Sequence, residues 1–252
     1  MAMMTSPGMM STRDYAACQF KVQGSLNLEL LCWIAVSARF SLVVFDLDGT
    51  LVDSWKDLAD AANALVGEYG RPSLPDAAIA EMIGDGAGVL VERVCAAAGL
   101  EAEPPDAVPR FLAIYDRVML NHTLPYPGVP AMLAELGSRV PLAVLTNKPH
   151  EAARRMLEAF DLARCFTACI GSEAGFPRKP DPVALWHLIE QAGATRDTTV
   201  LVGDSAIDLD TARRAGVRVC LARYGFGYRP ALEPLRPGEL AVDNPADLVR
   251  II

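Results

Sequence analysis

The sequence has no pair of cysteines at C-x-x-C spacing and no cysteine–histidine cluster at zinc spacing. Its six cysteines, Cys18, Cys32, Cys95, Cys165, Cys169 and Cys220, are scattered, as are its three histidines, His122, His150 and His187. Nothing supports a histidine as a ligand. Cys165 and Cys169 come nearest each other, but they flank an apolar run and read as small buried residues of a reducing cytosol. No apolar run reaches the roughly 18 residues of a membrane-spanning helix. Glycine and proline, at 19 and 18 residues, show no period, which excludes a collagen-like chain. Basic residues are in deficit, 23 against 31 acidic, for a formal charge of −8. That balance disfavours a nonspecific grip on nucleic acid or an anionic membrane. What is present is apolar. Hydrophobic residues make up 52% of the 252 and charged residues 21%, the composition of a globular core with room for an inserted subdomain.

Residues 1–40 differ from the rest. The start is Met-rich, and residues 26–38 (LNLELLCWIAVSA) are apolar with a small-residue end, faintly like a secretory signal. Glu29 interrupts the stretch, and about 25 residues precede it where a signal has a short basic leader. The segment reads as an arm, or as sequence after an upstream start codon, outside the folded core.

From residue 41 onward, short apolar runs recur between turns: 41–45 (SLVVF), 141–145 (PLAVL), 165–170 (CFTACI), 198–202 (TTVLV) and 217–221 (VRVCL), with 240–242 as a further candidate. Each is apolar almost throughout, as a strand buried on both faces is. Helical patterns at 130–136, 151–160, 182–192 and 207–215 alternate with them, and Gly193 and Gly216 stand where helices stop. The alternation predicts a parallel, doubly wound α/β sheet. One stretch breaks it. Residues 55–124 carry helical spacing only, near 55–70, 76–98 with an interruption at Gly84 and Gly86, and 107–120. Ser54 and Asp57 suit a capping box at the start of the first of these helices. This all-helical insert follows the first strand directly, which places it above the carboxyl edge of the sheet, as a candidate lid.

Four groups fall at strand ends: Asp46-Leu47-Asp48-Gly49-Thr50; Thr146-Asn147-Lys148; Lys179 after the third strand; and Gly203-Asp204-Ser205 with Asp208 beyond. Parallel strands bring these ends to one cleft. Asp46, Asp204 and Asp208 together require a cation, and hard carboxylates with few other ligands suit Mg²⁺. Asp46 is placed to attack phosphorus and form an aspartyl-phosphate. Lys179, the Thr146 hydroxyl and backbone N–H groups near Leu47 and Asn147 suit the phosphoryl oxygens. Asp48 faces the leaving-group side as an acid and then a base. Singly, each feature is as well read as a turn, a cap or a solvated loop residue. The four in this order, each after a buried strand, agree with one another across levels.

These residues resemble the haloacid-dehalogenase-like superfamily of phosphatases in all four of its motifs, from residue 41 to the C-terminus. The resemblance implies a three-layer, Rossmann-like core of residues 41–54 and 125–252, with an inserted type 1 helical cap of residues 55–124. It implies Asp46 as nucleophile and Asp48 as acid/base. Thr146 and Lys179 then bind phosphate, and magnesium is held by Asp46, the Asp48 carbonyl and Asp204, with Asp208 in support. The stretches Ile83–Arg93, Thr146–Pro149 and Tyr224–Tyr228 are similar to the phosphoglycolate phosphatases. One departure is Ile207, where those enzymes usually carry Asn. Arg93 is the cap residue matched to a substrate carboxylate, with a solvated helix arginine as the equal alternative. The Gly-rich 224–228 segment reads as a loop bracing the metal site. The expected partner is a small phosphorylated metabolite, for a cytoplasmic monomer or homodimer. Phosphatases of sugar phosphates, nucleotides or pyrophosphate, a sugar phosphomutase and a receiver-like phospho-acceptor remain alternatives. The receiver needs neither a lid nor Asp48.

Overall fold

The computed structural model describes residues 40–252. The signal-like stretch 26–38, Cys18 and Cys32 lie outside the described residues.

Strand β1, Leu42–Phe45, is wholly buried, as its run of β-branched and large apolar residues dictates. It pairs in parallel with β4 (Leu142–Pro149) on one side and β6 (Thr199–Gly203) on the other. Beyond them lie β5 (Ala168–Ser172), β7 (Arg218–Ala222) and β8 (Leu240–Val242), in the order β5-β4-β1-β6-β7-β8. The chain fills one side of β1 first and then the other, so β1 marks a topological switch point. Alternate side chains serve two cores. Val43 and Phe45 join one face with Met132, Leu133 and Leu248, and Leu42 and Val44 join the other with Leu185, Leu188 and Leu209. The first face packs α5 (Val129–Gly137), α6 (His150–Ala159) and α9 (Pro245–Ile251), and the second α7 (Val183–Gln191) and α8 (Ala206–Ala215). This is the expected three-layer α/β arrangement.

Between β1 and β4 lie helices α1 (Trp55–Glu68), α2 (Asp76–Ala80), α3 (Ala87–Ala97) and α4 (Ala107–Val118). The 76–98 pattern is broken around Gly84 and Gly86, whose φ values of 132° and 92° exclude most other residues. A two-residue antiparallel ribbon, β2 (Val52–Asp53) with β3 (Leu124–Pro125), closes the base of this segment. Strands so short carry no alternation for a sequence to reveal. Leu58, Ala62 and Leu65 of α1 and Phe111 and Ile114 of α4 are buried in the same core as Phe45.

Two expectations need correction. Ser54 and Asp57 form no capping box. Ser54 Oγ donates to Asp48 Oδ1 at 2.5 Å, and Asp57, fully buried, accepts from the His122 and Thr123 N–H groups and the Thr123 hydroxyl. The distant donors win because a buried carboxylate needs several partners. Cys165 and Cys169 are only half-buried; Cys95 and Cys220 are buried. Among the described residues, no helix is long and apolar enough to cross a membrane.

Candidate active site

Asp46 continues β1, and its backbone N–H donates to the Val202 carbonyl of β6 at 2.9 Å. The ladder that buries the valines therefore fixes the place of this carboxylate. Asp204 leaves β6 one position after Gly203, and Thr146, Asn147 and Lys148 are still within β4. Lys179 follows β5. The predicted convergence at one sheet edge is what the structure shows for Asp46, Thr146, Lys179, Asp204 and Asp208.

Lys179 Nζ lies 2.8 Å from Asp46 Oδ1 and 2.7 Å from Asp208 Oδ1, with its side chain only 2% exposed. Asp46 Oδ1 is buried, and the Lys179 ammonium is its one close partner. Asp46, Asp204 and Asp208 each bring a carboxylate oxygen within 4.8 Å of the others. Three carboxylates thus face one ammonium. Burial pushes the Asp46 carboxyl up to about 6; Lys179 opposes this, while Asp208 and Asp48 add to it. Burial, then Asp208 and Asp46, hold Asp204 well above the ordinary carboxylate value, against the Gly227 N–H and Lys179. For Lys179 burial acts downward, and Asp208 and Asp46 more than reverse it. Three buried carboxylates against one ammonium leave an excess of negative charge, which is what a divalent cation offsets, and this residue set fits one. Both Asp208 oxygens are already engaged, Oδ1 by Lys179 and Oδ2 by the Ser205 N–H and hydroxyl, so Asp208 braces the cluster.

The glycine-rich loop after β7 packs on the same cluster. Gly227 N–H donates to Asp204 Oδ2 at 2.7 Å, and the Tyr224 hydroxyl donates to the Thr50 carbonyl at 2.9 Å. A Cβ on Gly227 would stand 2.7 Å from Asp204 Oδ2, and one on Gly225 would stand 2.3 Å from Asp204 Cβ. Gly49, at φ +84°, leaves room for Asp204 from the other side. Only residues without a side chain let the backbone come this close.

The Asp48 carboxylate pairs with Ser54 and Lys148. Asn147 uses its side chain on Lys179. Its Nδ2 donates to the Lys179 carbonyl at 3.0 Å, and its Oδ1 accepts the Lys179 N–H at 2.9 Å. The side chain of Asn147 thus aims the lysine. Arg93 is not brought into the group. Its guanidinium pairs with Asp85 at 2.5 Å and donates to the Met82 carbonyl, and it does not line the cleft. The short reach from α3 back to the loop before it satisfies the charge locally.

A cleft of about 650 Å³, open mouth included, joins Asp46, Asp48, Thr146 and Asp204 to a wall of Ile83, Leu90, Phe111 and Tyr115. Lys148 lines it too, and sequence reading named no role for it. The available signal was its place two residues after Thr146, at the same carboxyl end of β4.

A family profile described as haloacid dehalogenase-like hydrolase matches residues 43–222. Phosphoglycolate phosphatase of Rhodospirillum rubrum is 41% identical over 196 residues, covering 75% of this chain and 81% of that enzyme. The same-named enzyme of Cereibacter sphaeroides is 40% identical over 200 residues, covering 76% and 88%. The crystal structure of a predicted phosphoglycolate phosphatase from Haemophilus somnus 129pt superimposes with a TM-score of 0.75 at 30% identity, covering 84% of this chain and 97% of that one.

Proposed function

The chain belongs to the haloacid dehalogenase-like hydrolases, and on that premise we propose that it is a phosphomonoester hydrolase acting through an aspartyl-phosphate, with 2-phosphoglycolate as substrate and Mg²⁺ as its metal. The observation that carries the reading is the buried group of Asp46, Asp204, Asp208 and Lys179, with Asp48 beside it and facing the cleft.

Asp46 attacks phosphorus. Its place at the end of β1 gives it one approach line, and the effective concentration of a fixed nucleophile lowers the barrier. Lys179 and Thr146 hold phosphoryl oxygens, and Asn147 keeps Lys179 aimed. Asp48 gives its proton to the departing alkoxide as the P–O bond breaks. It then takes a proton from the water that releases phosphate from Asp46. Asp46, the Asp48 carbonyl and Asp204 would hold the magnesium, and Asp208 braces the cluster. Magnesium, when bound, offsets the charge between an anionic nucleophile and an anionic phosphate. The helical segment 55–124 serves as a cap on the core of 41–54 and 125–252. Its Ile83, Leu90 and Phe111 give the cleft an apolar wall. The relatives named phosphoglycolate phosphatase support the substrate.

The test is phosphate release from 2-phosphoglycolate, sugar phosphates, nucleoside monophosphates and pyrophosphate, with and without Mg²⁺. Metal-dependent turnover highest on 2-phosphoglycolate is expected. Turnover highest on a sugar phosphate moves the substrate, and no turnover on any member sinks the reading.

A further inference from the structure

Lys148 is the one cation lining the cleft among the described residues, and the chemistry above gives it no part. Its side chain is 2% exposed. Its Nζ donates to Asp48 Oδ1 at 3.0 Å and Oδ2 at 3.1 Å, and to the Tyr115 hydroxyl at 2.6 Å. The ammonium also sits 4.5 Å from the centre of the Tyr115 ring. From the other side, Ser54 Oγ donates to Asp48 Oδ1 at 2.5 Å. The Asp48 carboxylate is therefore held from two directions, within the cleft that Asp46 and Asp204 also line.

Tyr115 belongs to α4, in the helical segment over the cleft. It is 3% exposed and stacks on Phe111, with centroids 5.9 Å apart and planes 3° from parallel. Burial pushes its phenol up to about 12, with Lys148 opposing, so the hydroxyl stays protonated at neutral pH. Burial likewise acts downward on Lys148, but Asp48 and Tyr115 reverse it and keep the amine charged. The result is a continuous chain of contacts from the cap, through a core lysine, to the proposed acid/base.

A buried amine beside a carboxylate is on its own an ordinary structural ion pair. Two features go further. The carboxylate is the one that must face the leaving oxygen, where a small misplacement has large kinetic cost. The remaining bond of the amine goes to the cap rather than to the core. We propose that Lys148 is a positioning residue that holds Asp48 toward the leaving oxygen, and that Tyr115 makes this orientation depend on the seating of α4. The inference rests on the phosphatase reading and on Asp48 as acid/base. Lys148 itself gives up no proton. In the first step the Asp48 proton goes to the leaving oxygen as the Asp46–P bond forms. In the second, water adds to phosphorus, its proton goes to Asp48, and the Asp46–P bond breaks.

The experiment compares two substrates in wild type, Asp48→Asn, Lys148→Met and Tyr115→Phe. In 2-phosphoglycolate the leaving alkoxide needs a proton. In p-nitrophenyl phosphate the leaving phenolate does not. A general acid is worth about 10²–10⁴-fold. For Lys148→Met, kcat/KM on 2-phosphoglycolate should fall at least ~100-fold, while that on the aryl ester changes less than ~3-fold, by the same principle. The variant should also show a stoichiometric burst of nitrophenolate, because Asp48 serves the second step as well. Tyr115→Phe keeps the ring and its stacking, and should give the same selective pattern at about a tenth of that effect. The double variant should be no worse than Lys148→Met alone, as members of one chain are not additive.

Equal losses on both substrates overturn the proposal. So does a rise in KM for 2-phosphoglycolate with kcat unchanged, which assigns Lys148 to the substrate carboxylate. If Lys148→Met does not fold, Tyr115→Phe decides by the same criterion. No wild-type turnover on either ester defeats the phosphatase reading, and an unselective Asp48→Asn defeats the role of Asp48. A selective Asp48→Asn beside an unselective Lys148→Met defeats this proposal alone.

Discussion

Replacing Asp46 by Asn should stabilise the metal-free protein while abolishing turnover. Burial, with Asp208 and Asp48, holds this carboxyl at about 6, against an unfolded value of 3.8, despite the pull of Lys179. At about 1.4 kcal/mol per pH unit, that difference amounts to about 3 kcal/mol. The sign follows from proton binding. The folded chain holds the proton more tightly than the unfolded one, so folding is favoured at acid pH. The unfolded carboxyl ionises first as pH rises, and stability is lost across the window from about 4 to about 6. Asn carries no charge to ionise. Its advantage over Asp should be near zero at pH 4, grow through that window, and level off above about pH 6 at up to about 3 kcal/mol. Urea unfolding of both proteins in chelator at a series of pH values measures it. Adding Mg²⁺ should narrow the gap, since a cation bound only to the folded state favours the aspartate. A difference independent of pH, or an Asn variant less stable at pH 7 in chelator, would refute the electrostatic account.

Asp57→Ala leaves the N–H and hydroxyl of buried Thr123 and the N–H of His122 without their acceptor. It should lower unfolding free energy by about 2–4 kcal/mol, as read by urea denaturation. Gly227→Ala places a Cβ 2.7 Å from Asp204 Oδ2, so half-maximal activity should need several-fold more Mg²⁺, in a titration of initial rates. Asn147→Ala releases both bonds to the Lys179 backbone and should cut kcat/KM by about 10-fold or more, by loss of lysine orientation, with a small change in melting temperature. Saturating Mg²⁺ should raise the thermal midpoint of the wild type, and raise it less in Asp204→Asn.

Much of the fold was legible because it rests on local pattern. Five continuous apolar runs separated by helical spacing can be read from residue order alone, and so can the glycine break between α2 and α3. The cluster was legible for a related reason: a parallel sheet carries residues far apart in sequence to one edge. What escaped detection depends on contacts that no local pattern encodes. Lys148 meets Asp48 across 100 positions and Tyr115 across 33. The Asp57 side chain looks like a cap partner for Ser54, yet its donors lie 65 and 66 residues away. Arg93 suggested a ligand by type and place, but Asp85 neutralises it locally. Asn147 was matched to phosphate through its backbone, and only the structure shows its side chain committed to Lys179. The glycine loop after β7 was read as a brace, and its bond to Asp204 gives that reading an atomic basis.

The central claim is that phosphate passes through Asp46. Wild-type protein would be mixed with labelled substrate and Mg²⁺, quenched in acid within a single turnover, and digested for mass spectrometry. A phosphoryl group on the peptide containing Asp46, rising and then decaying, labile to hydroxylamine and absent from Asp46→Asn, is the predicted result. Turnover with no trapped label, or with label on another residue, would contradict it.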